Sequence, residues 1–283
     1  MYRLASQQYN DELNSAVSIA HVAGTIMLHY YDLDYTVSVK DEGESPESAI
    51  FTEVDGMVDN IIRDYFTKLW ANDQLLTEET DPDGHWYETE RIWIIDPIDG
   101  TMGYKKKTGS FGISIALIKG SRPTLGVLYA PAKNMIAWAV VGEGAFLNGM
   151  KVDLTNKTSV ETILVSSNSI DRPPYQKTLQ LIDPKGKLKV MATESVVVKA
   201  LQILTGDGEI YPILPKSSEM KSTPKFWDIA AADVILHEAG AKVTTFSGEQ
   251  YQYNIPDFQC VGGVMMGTVT GHNFALSRLQ SRK

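Results

Sequence analysis

The sequence predicts a layered fold combining α+β and α/β character, on three observations. Two amphipathic helical stretches open the chain. A run of alternating strand segments with tight turns follows, and the second half then alternates strands with helices.

The first helix runs from about Gln8 to Tyr31. Leu13, Ala16, Ala20, Ala23, Met27 and Tyr30 recur at intervals of three and four, which lines one face of an α-helix. A loop with Lys40, Asp41, Glu42, Gly43 and Pro46 comes next. The second helix spans about Glu53 to Trp70, with Val58, Ile61, Ile62, Tyr65, Phe66 and Leu69 on one side. The period then changes. Ile92–Ile95 is a short apolar run, and Phe111, Ile113, Ile115 and Leu117 alternate with small residues. Thr124–Tyr129 and Met135–Val141 are further strands, and Asn148-Gly149 marks a hairpin. These strands form an expected antiparallel meander with helices on one face.

Beyond a boundary near residue 158, Thr162–Ser166 and Leu188–Ala192 are expected strands and Ser195–Leu204 a helix. Gly208–Ile213 is extended, and Asp228–Ala239 is a helix closed by Gly240. Strands at Ala241–Phe246 and Phe258–Val264 and a helix at His272–Arg282 complete a mixed sheet. The expected organisation is therefore 1–158, carrying the helix pair and meander, and 159–283, the mixed half.

The 283 residues are 43% hydrophobic and 22% charged, enough for an ordinary core. Lys plus Arg is 26 against 35 Asp plus Glu, a net charge of −9. That balance argues against a nucleic-acid polymer as partner, which calls for a basic face, but not against a small phosphorylated metabolite held through cations. The single cysteine, Cys260, lies in an apolar run and is expected to be a packed core thiol. No apolar run is long enough to span a membrane, and MYRLASQQYNDELN lacks the apolar stretch of a signal peptide. A cytoplasmic location is the expectation.

Carboxylates gather at the ends of apolar runs. Asp96-Pro97-Ile98-Asp99-Gly100-Thr101 follows Trp93-Ile94-Ile95, with Pro97 expected to stop the ladder and Gly100 to allow a tight turn. Two carboxylates pointing into one space repel unless protonated or bridged by a cation. The Gly100 and Thr101 amides could face an anion if a helical turn follows. Glu78-Glu79, Asp55 early in the second helix, and Asp228 at the start of the late helix complete the set. Taken singly, each also fits a solvated turn, a first-turn acid or an N-cap. Together, oxygen ligands without Cys or His clusters suit Mg²⁺ rather than Zn²⁺.

In this order and spacing, Glu78-Glu79, Asp96-Pro97-Ile98-Asp99-Gly100-Thr101, Gly142-Glu143-Gly144-Ala145-Phe146 and Trp227-Asp228 resemble the inositol monophosphatase superfamily over nearly the whole chain. The resemblance implies a sugar-phosphatase αβαβα sandwich with Mg²⁺-dependent, lithium-sensitive phosphomonoester hydrolysis. By position, Glu78, Asp96 and the Ile98 carbonyl would bind one Mg²⁺, and Asp96, Asp99 and Asp228 a second. Asp55, with Glu79 or Thr101, would orient the attacking water near a third, weaker ion. Gly100, Thr101, Ser195 and Lys199 would meet the substrate. A homodimer is common in such proteins.

Ser114–Pro131 and Lys199–Pro212 look most like the 3′(2′),5′-bisphosphate nucleotidase branch, which implies adenosine 3′,5′-bisphosphate as substrate. Inositol or another sugar monophosphate is the alternative, and an inactive metabolite-binding relative the second. The chain departs from that branch at Ser195-Val196-Val197, where Gly-Ser-Ser is usual, and at Ile213, where arginine is usual. It also carries an insert from Pro215 to Pro224, whose Lys216 and Lys221, with nearby Lys225, could face a phosphate or solvate a loop.

Overall fold

A computed structural model of the chain describes residues 8–33, 37–39, 50–80, 84–215 and 223–281. The 40–46 loop and most of the insert, with Lys216 and Lys221, lie outside them.

In chain order the helix α1 is Asn10–Tyr31, followed by short strands β1 (Val37–Val39) and β2 (Ile50–Thr52) and the helix α2 (Glu53–Leu69). Next come β3 (Gln74–Thr77), β4 (Arg91–Asp99), the one-turn helix α3 (Thr101–Lys105), β5 (Gly112–Lys119), β6 (Arg122–Ala130), β7 (Met135–Val140), β8 (Gly144–Leu147) and β9 (Met150–Val152). The remainder is β10 (Thr162–Ser166), α4 (Pro173–Ile182), β11 (Lys189–Thr193), α5 (Val196–Thr205), β12 (Ile210–Ile213), α6 (Phe226–Glu238), β13 (Ala241–Thr244), β14 (Val264–Thr268) and α7 (Val269–Gln280).

Strands β3 to β9 form one seven-stranded sheet in sequence order. Only β3 and β4 run parallel in it. The second sheet is mixed, in the order β11-β10-β12-β14-β13.

Burial alternates along the strands and so builds the layers. Trp93 and Ile95 of β4, with Ile113, Ile115 and Leu117 of β5, pack under α1 and α2. Ile92, Ile94, Ala116 and Ile118 face the other way, against α5 and α6. The first sheet is thus covered on both faces, not on one, which is why Ile92–Ile95 is a continuous apolar run. The second sheet turns Leu164, Tyr211 and Met266 toward α5 and α6, and Ile163, Val165, Ile210 and Met265 toward α4 and α7. The order is the expected αβαβα.

Asn148 and Gly149 both adopt positive φ, 48° and 81°, the backbone a two-residue hairpin of the favoured twist demands. Cys260 is fully buried, and burial pushes its thiol well above the usual range, as a packed core thiol requires. The expected strand Phe258–Val264 lies elsewhere, at Val264–Thr268. Gly263 turns at φ 65° against Pro215 and the Ile213 carbonyl, so the ladder begins only after it.

Candidate active site

The acids converge because four elements end at one place. β4 carries Asp96 and Asp99, and its ladder does not stop at Pro97. Asp96 pairs with Ser114 and Asp99 with Gly112, so β4 holds one more residue than β5 over this stretch. In a regular strand, residues three apart point to opposite faces. The extra residue is a bulge, and it turns both carboxylates to the same side. Gly100 follows at φ 84° as the N-cap of α3. A Cβ there would lie 2.7 Å from the Ser110 carbonyl oxygen and 2.8 Å from the Ser195 Cβ, so the turn requires glycine.

Asp228 sits in the first turn of α6, and its Oδ2 accepts the Lys225 amide at 2.6 Å. One oxygen each of Asp96, Asp99 and Asp228 lies within 4.8 Å of the others. β3 runs parallel to β4 with Thr77 beside Ile95, so Glu78 leaves the strand next to Asp96. The Glu78 amide donates to the Ile95 carbonyl at 3.3 Å.

Asp55 occupies the third position of α2. It accepts the Thr52 amide at 2.9 Å and the Thr52 hydroxyl, while Thr52 caps the helix in return. Its other oxygen accepts the Thr101 hydroxyl at 3.1 Å, and that hydroxyl also lies 3.2 Å from the Ile98 carbonyl. The expected water-handling pair, Asp55 and Thr101, is therefore in direct contact.

Burial and crowding act on these acids together. Desolvation, then repulsion by Glu78, Asp99, Asp228 and Glu79, holds Asp96 well above the usual carboxylate range. Asp228 is pushed up to about 8 by burial and by Glu78. Asp99 is raised by burial, with the Ser195 hydroxyl and the Val197 amide opposing.

Oδ1 of Asp96 is buried with no hydrogen-bond partner. Three desolvated carboxylates with one such oxygen fit a divalent cation, which would relieve both the repulsion and the lost hydrogen bond. The donor set, all oxygen, fits Mg²⁺.

Ser195 and Lys199, the expected substrate contacts, are engaged within the protein. Both are fully buried. Ser195 caps α5, accepting the Val198 amide at 3.0 Å and donating its hydroxyl to Asp99 Oδ2, which also accepts the Val197 amide at 2.7 Å. Ser195 thus orients a carboxylate. Lys199 donates to the Thr193 and Glu194 carbonyls at 2.9 and 3.1 Å, and burial drags its ammonium down to about 7. It fastens the loop before α5.

Asp59 was not anticipated. It is buried one turn after Asp55 and accepts the Thr80 hydroxyl at 3.1 Å, tying the Glu78-Glu79-Thr80 turn to α2. The spacing of four, which shares a helix face, was the available signal.

A layered α/β sandwich with a buried, oxygen-only acidic centre defines a metal-dependent hydrolase. The family model described as inositol monophosphatase family matches residues 9–273, and the chain belongs to that family of metal-dependent phosphoric monoester hydrolases. A fructose-1,6-bisphosphatase/inositol-1-monophosphatase of Thermotoga maritima is 28% identical over 242 residues, covering 85% of this chain and 87% of that protein. The 3′(2′),5′-bisphosphate nucleotidase CysQ of Escherichia coli K12 is 26% identical over 247 residues, 85% of this chain and 93% of the other. Among solved structures, an IMPase/NADP phosphatase complexed with Mg²⁺ and phosphate shares the fold with a TM-score of 0.77 at 21% identity, covering 97% of this chain and 96% of that one. No helix among the described residues is long and apolar enough to cross a membrane.

Proposed function

We propose that the acidic centre binds two or three Mg²⁺ ions and hydrolyses the phosphomonoester of a small metabolite with water as nucleophile. The observation that carries this is the buried, unpartnered Oδ1 of Asp96 inside a three-carboxylate cluster. Glu78, Asp96, Asp99, Asp228 and the Ile98 carbonyl are the ligands. Mg²⁺ held there supplies positive charge to the phosphoryl oxygens and lowers the pKa of water.

The residues do the rest. Thr101 gives its proton to Asp55, so its oxygen is free to accept one from the attacking water, with Asp55 behind it as the final acceptor. Glu79, close enough to raise Asp96, is the further acid of this water-handling group. The Gly100 and Thr101 amides, at the start of α3, face the substrate phosphate.

On substrate, the reading is a compact sugar or polyol monophosphate. A second phosphate would need a cation, and the candidate from the sequence, Lys199, is fully buried with two of its three donors on carbonyls. Lys225 lies with its ammonium 5.3 Å from the Trp227 ring centroid. Adenosine 3′,5′-bisphosphate is the second reading, favoured by the likeness to CysQ. Phosphate release from inositol 1-phosphate, fructose 1,6-bisphosphate and adenosine 3′,5′-bisphosphate, with and without Mg²⁺ and Li⁺, decides. Highest kcat/KM on the nucleotide overturns the monophosphate reading, and no Mg²⁺-dependent release from any of them overturns the mechanism.

A further inference from the structure

The ligands do not all come from one strand ladder. Asp96 and Asp99 belong to the first sheet, whereas Asp228 rides on α6, a helix lying across that sheet. Mg²⁺ binds oxygens at about 2.0–2.1 Å and tolerates little error. Something must therefore fix the first turn of α6 against β4.

Ser114 is in the position to do so. It is fully buried in β5, directly across the ladder from Asp96. Its hydroxyl donates to the Trp227 carbonyl at 2.8 Å, one residue before Asp228. A single hydroxyl thus stands beside one ligand and holds the backbone of another.

The setting makes a hydroxyl conspicuous. The same face of β5 otherwise presents Ala116 and Ile118 to α6. α6 lies so close that a Cβ on Gly126 would come within 2.7 Å of the Ala231 carbonyl oxygen. Packing at this face asks only for small size, which alanine supplies without a polar group to desolvate. A buried hydroxyl is costly unless bonded, and here its bond falls on the helix turn that carries a ligand. A second polar anchor lies further along α6, where Asp233 meets Arg122 at 2.9 Å and the Tyr253 hydroxyl at 2.9 Å. That anchor fixes the middle of the helix. At its start the Phe226 amide donates to the Phe258 carbonyl at 2.9 Å, which ties the turn to the 258–260 segment, while Ser114 ties it to β5, the strand paired with β4.

We infer that Ser114 is a positioning residue of the metal centre: through the Trp227 carbonyl it sets the distance of Asp228 from Asp96 and Asp99, and so the affinity for Mg²⁺. This rests on the reading of the acidic cluster as an Mg²⁺ site.

The test is isothermal titration of the full-length protein with Mg²⁺ in the absence of substrate, together with melting in EDTA. Ser114→Ala is expected to raise the Mg²⁺ dissociation constant by about 10-fold, the low end of what partners behind metal ligands contribute. The Mg²⁺ concentration for half-maximal activity should rise in parallel, with kcat at saturating Mg²⁺ largely restored. Ser114→Thr, which keeps the hydroxyl, should return the dissociation constant toward the parent. If the alanine variant does not fold, Ser114→Cys fills the same space with a poorer donor and should shift affinity in the same direction. A merely structural serine would lower the EDTA melting temperature and leave Mg²⁺ affinity alone, and that result overturns the inference. A parent protein that takes up no Mg²⁺ overturns the metal reading instead, and the positioning role with it.

Discussion

Asp228→Asn should make the metal-free protein more stable and deaf to Mg²⁺. The parent carboxyl is pushed from 3.8 up to about 8, by burial first and Glu78 next. A folded-state pKa above the unfolded one means that folding takes up a proton, or tolerates a disfavoured charge, at neutral pH. Stability is therefore full below the unfolded pKa and falls as pH rises toward the folded one. At pH 7 the gap is about 3 units, or about 4 kcal/mol at 1.36 kcal/mol per unit. The side chain keeps part of its surface in water, which screens the effect to about 2 kcal/mol. Asparagine carries no charge and still accepts the Lys225 amide, so the helix start survives. For a chain of this size, the gain is a rise in Tm of roughly 3–4 °C. The assay is thermal melting at pH 7 in EDTA and again in a graded Mg²⁺ series. The parent should gain about 2.7 kcal/mol at a hundredfold excess over its Kd, and the variant nothing. A variant that melts at or below the parent in EDTA, or that Mg²⁺ stabilises equally, refutes the reasoning.

Other outcomes are as direct. Asp99→Asn should abolish Mg²⁺-dependent phosphate release while the far-UV circular dichroism stays that of the parent; undiminished turnover would sink the mechanism. Gly126→Ala drives a methyl to within 2.6 Å of Val234 Cγ1, and overpacking of this kind costs about 1–3 kcal/mol; an unchanged urea midpoint would contradict the close docking of α6. His272 is buried, with Nε2 2.8 Å from the Thr244 hydroxyl, and burial, aided by Lys242, lowers it to about 4. Its folded pKa lies below the unfolded 6.5, so its contribution is intact above pH 6.5 and lost progressively toward pH 4, by about 3 kcal/mol in all. Denaturant titrations of the parent and His272→Asn at pH 7 and 4.5 should show a smaller acid loss in the variant; equal losses would assign the pH dependence to other groups.

The layers were legible where one face of an element is buried and its period is clean. α1, α2 and the β5–β9 meander follow their apolar spacing, and Asn148-Gly149 its backbone demand. α4 has no counterpart in the sequence reading; it opens on Pro173-Pro174, where proline is at home in the first turn because its absent N–H has no bond to make. The expected strand at 258–264 failed because Gly262-Gly263, not hydrophobicity, decides where β14 begins. In the site, residue types named the acids, but not what each oxygen touches. Position alone does not show that Ser195 bonds Asp99 or that Lys199 bonds the Thr193 and Glu194 carbonyls, because these partners are set by packing. Asp59 shows in the sequence only as an acid four residues after Asp55, and its partner Thr80 lies 21 residues away. The role of Ser114 lies in the register of β4 on β5 and the seating of α6, which are long-range facts.

The arrangement also explains how the fold bears a buried acidic centre. Asp55 lies in the first turn of α2, Asp228 in the first turn of α6, and Asp99 receives the Val197 amide at the start of α5. Three helices thus turn their amide ends, which carry partial positive charge, toward the carboxylates. Each acid spends one oxygen on those donors: Asp55 on Thr52, Asp228 on Lys225, Asp99 on Ser195 and Val197. Asp96 stands apart, delivered by a strand with an oxygen that nothing satisfies. The helix ends hold the cluster together in the absence of a cation, and Asp96 is left as the group that most needs one. The net charge of −9 is therefore not spread evenly over the surface: part of it is gathered where three helix ends face the carboxylates.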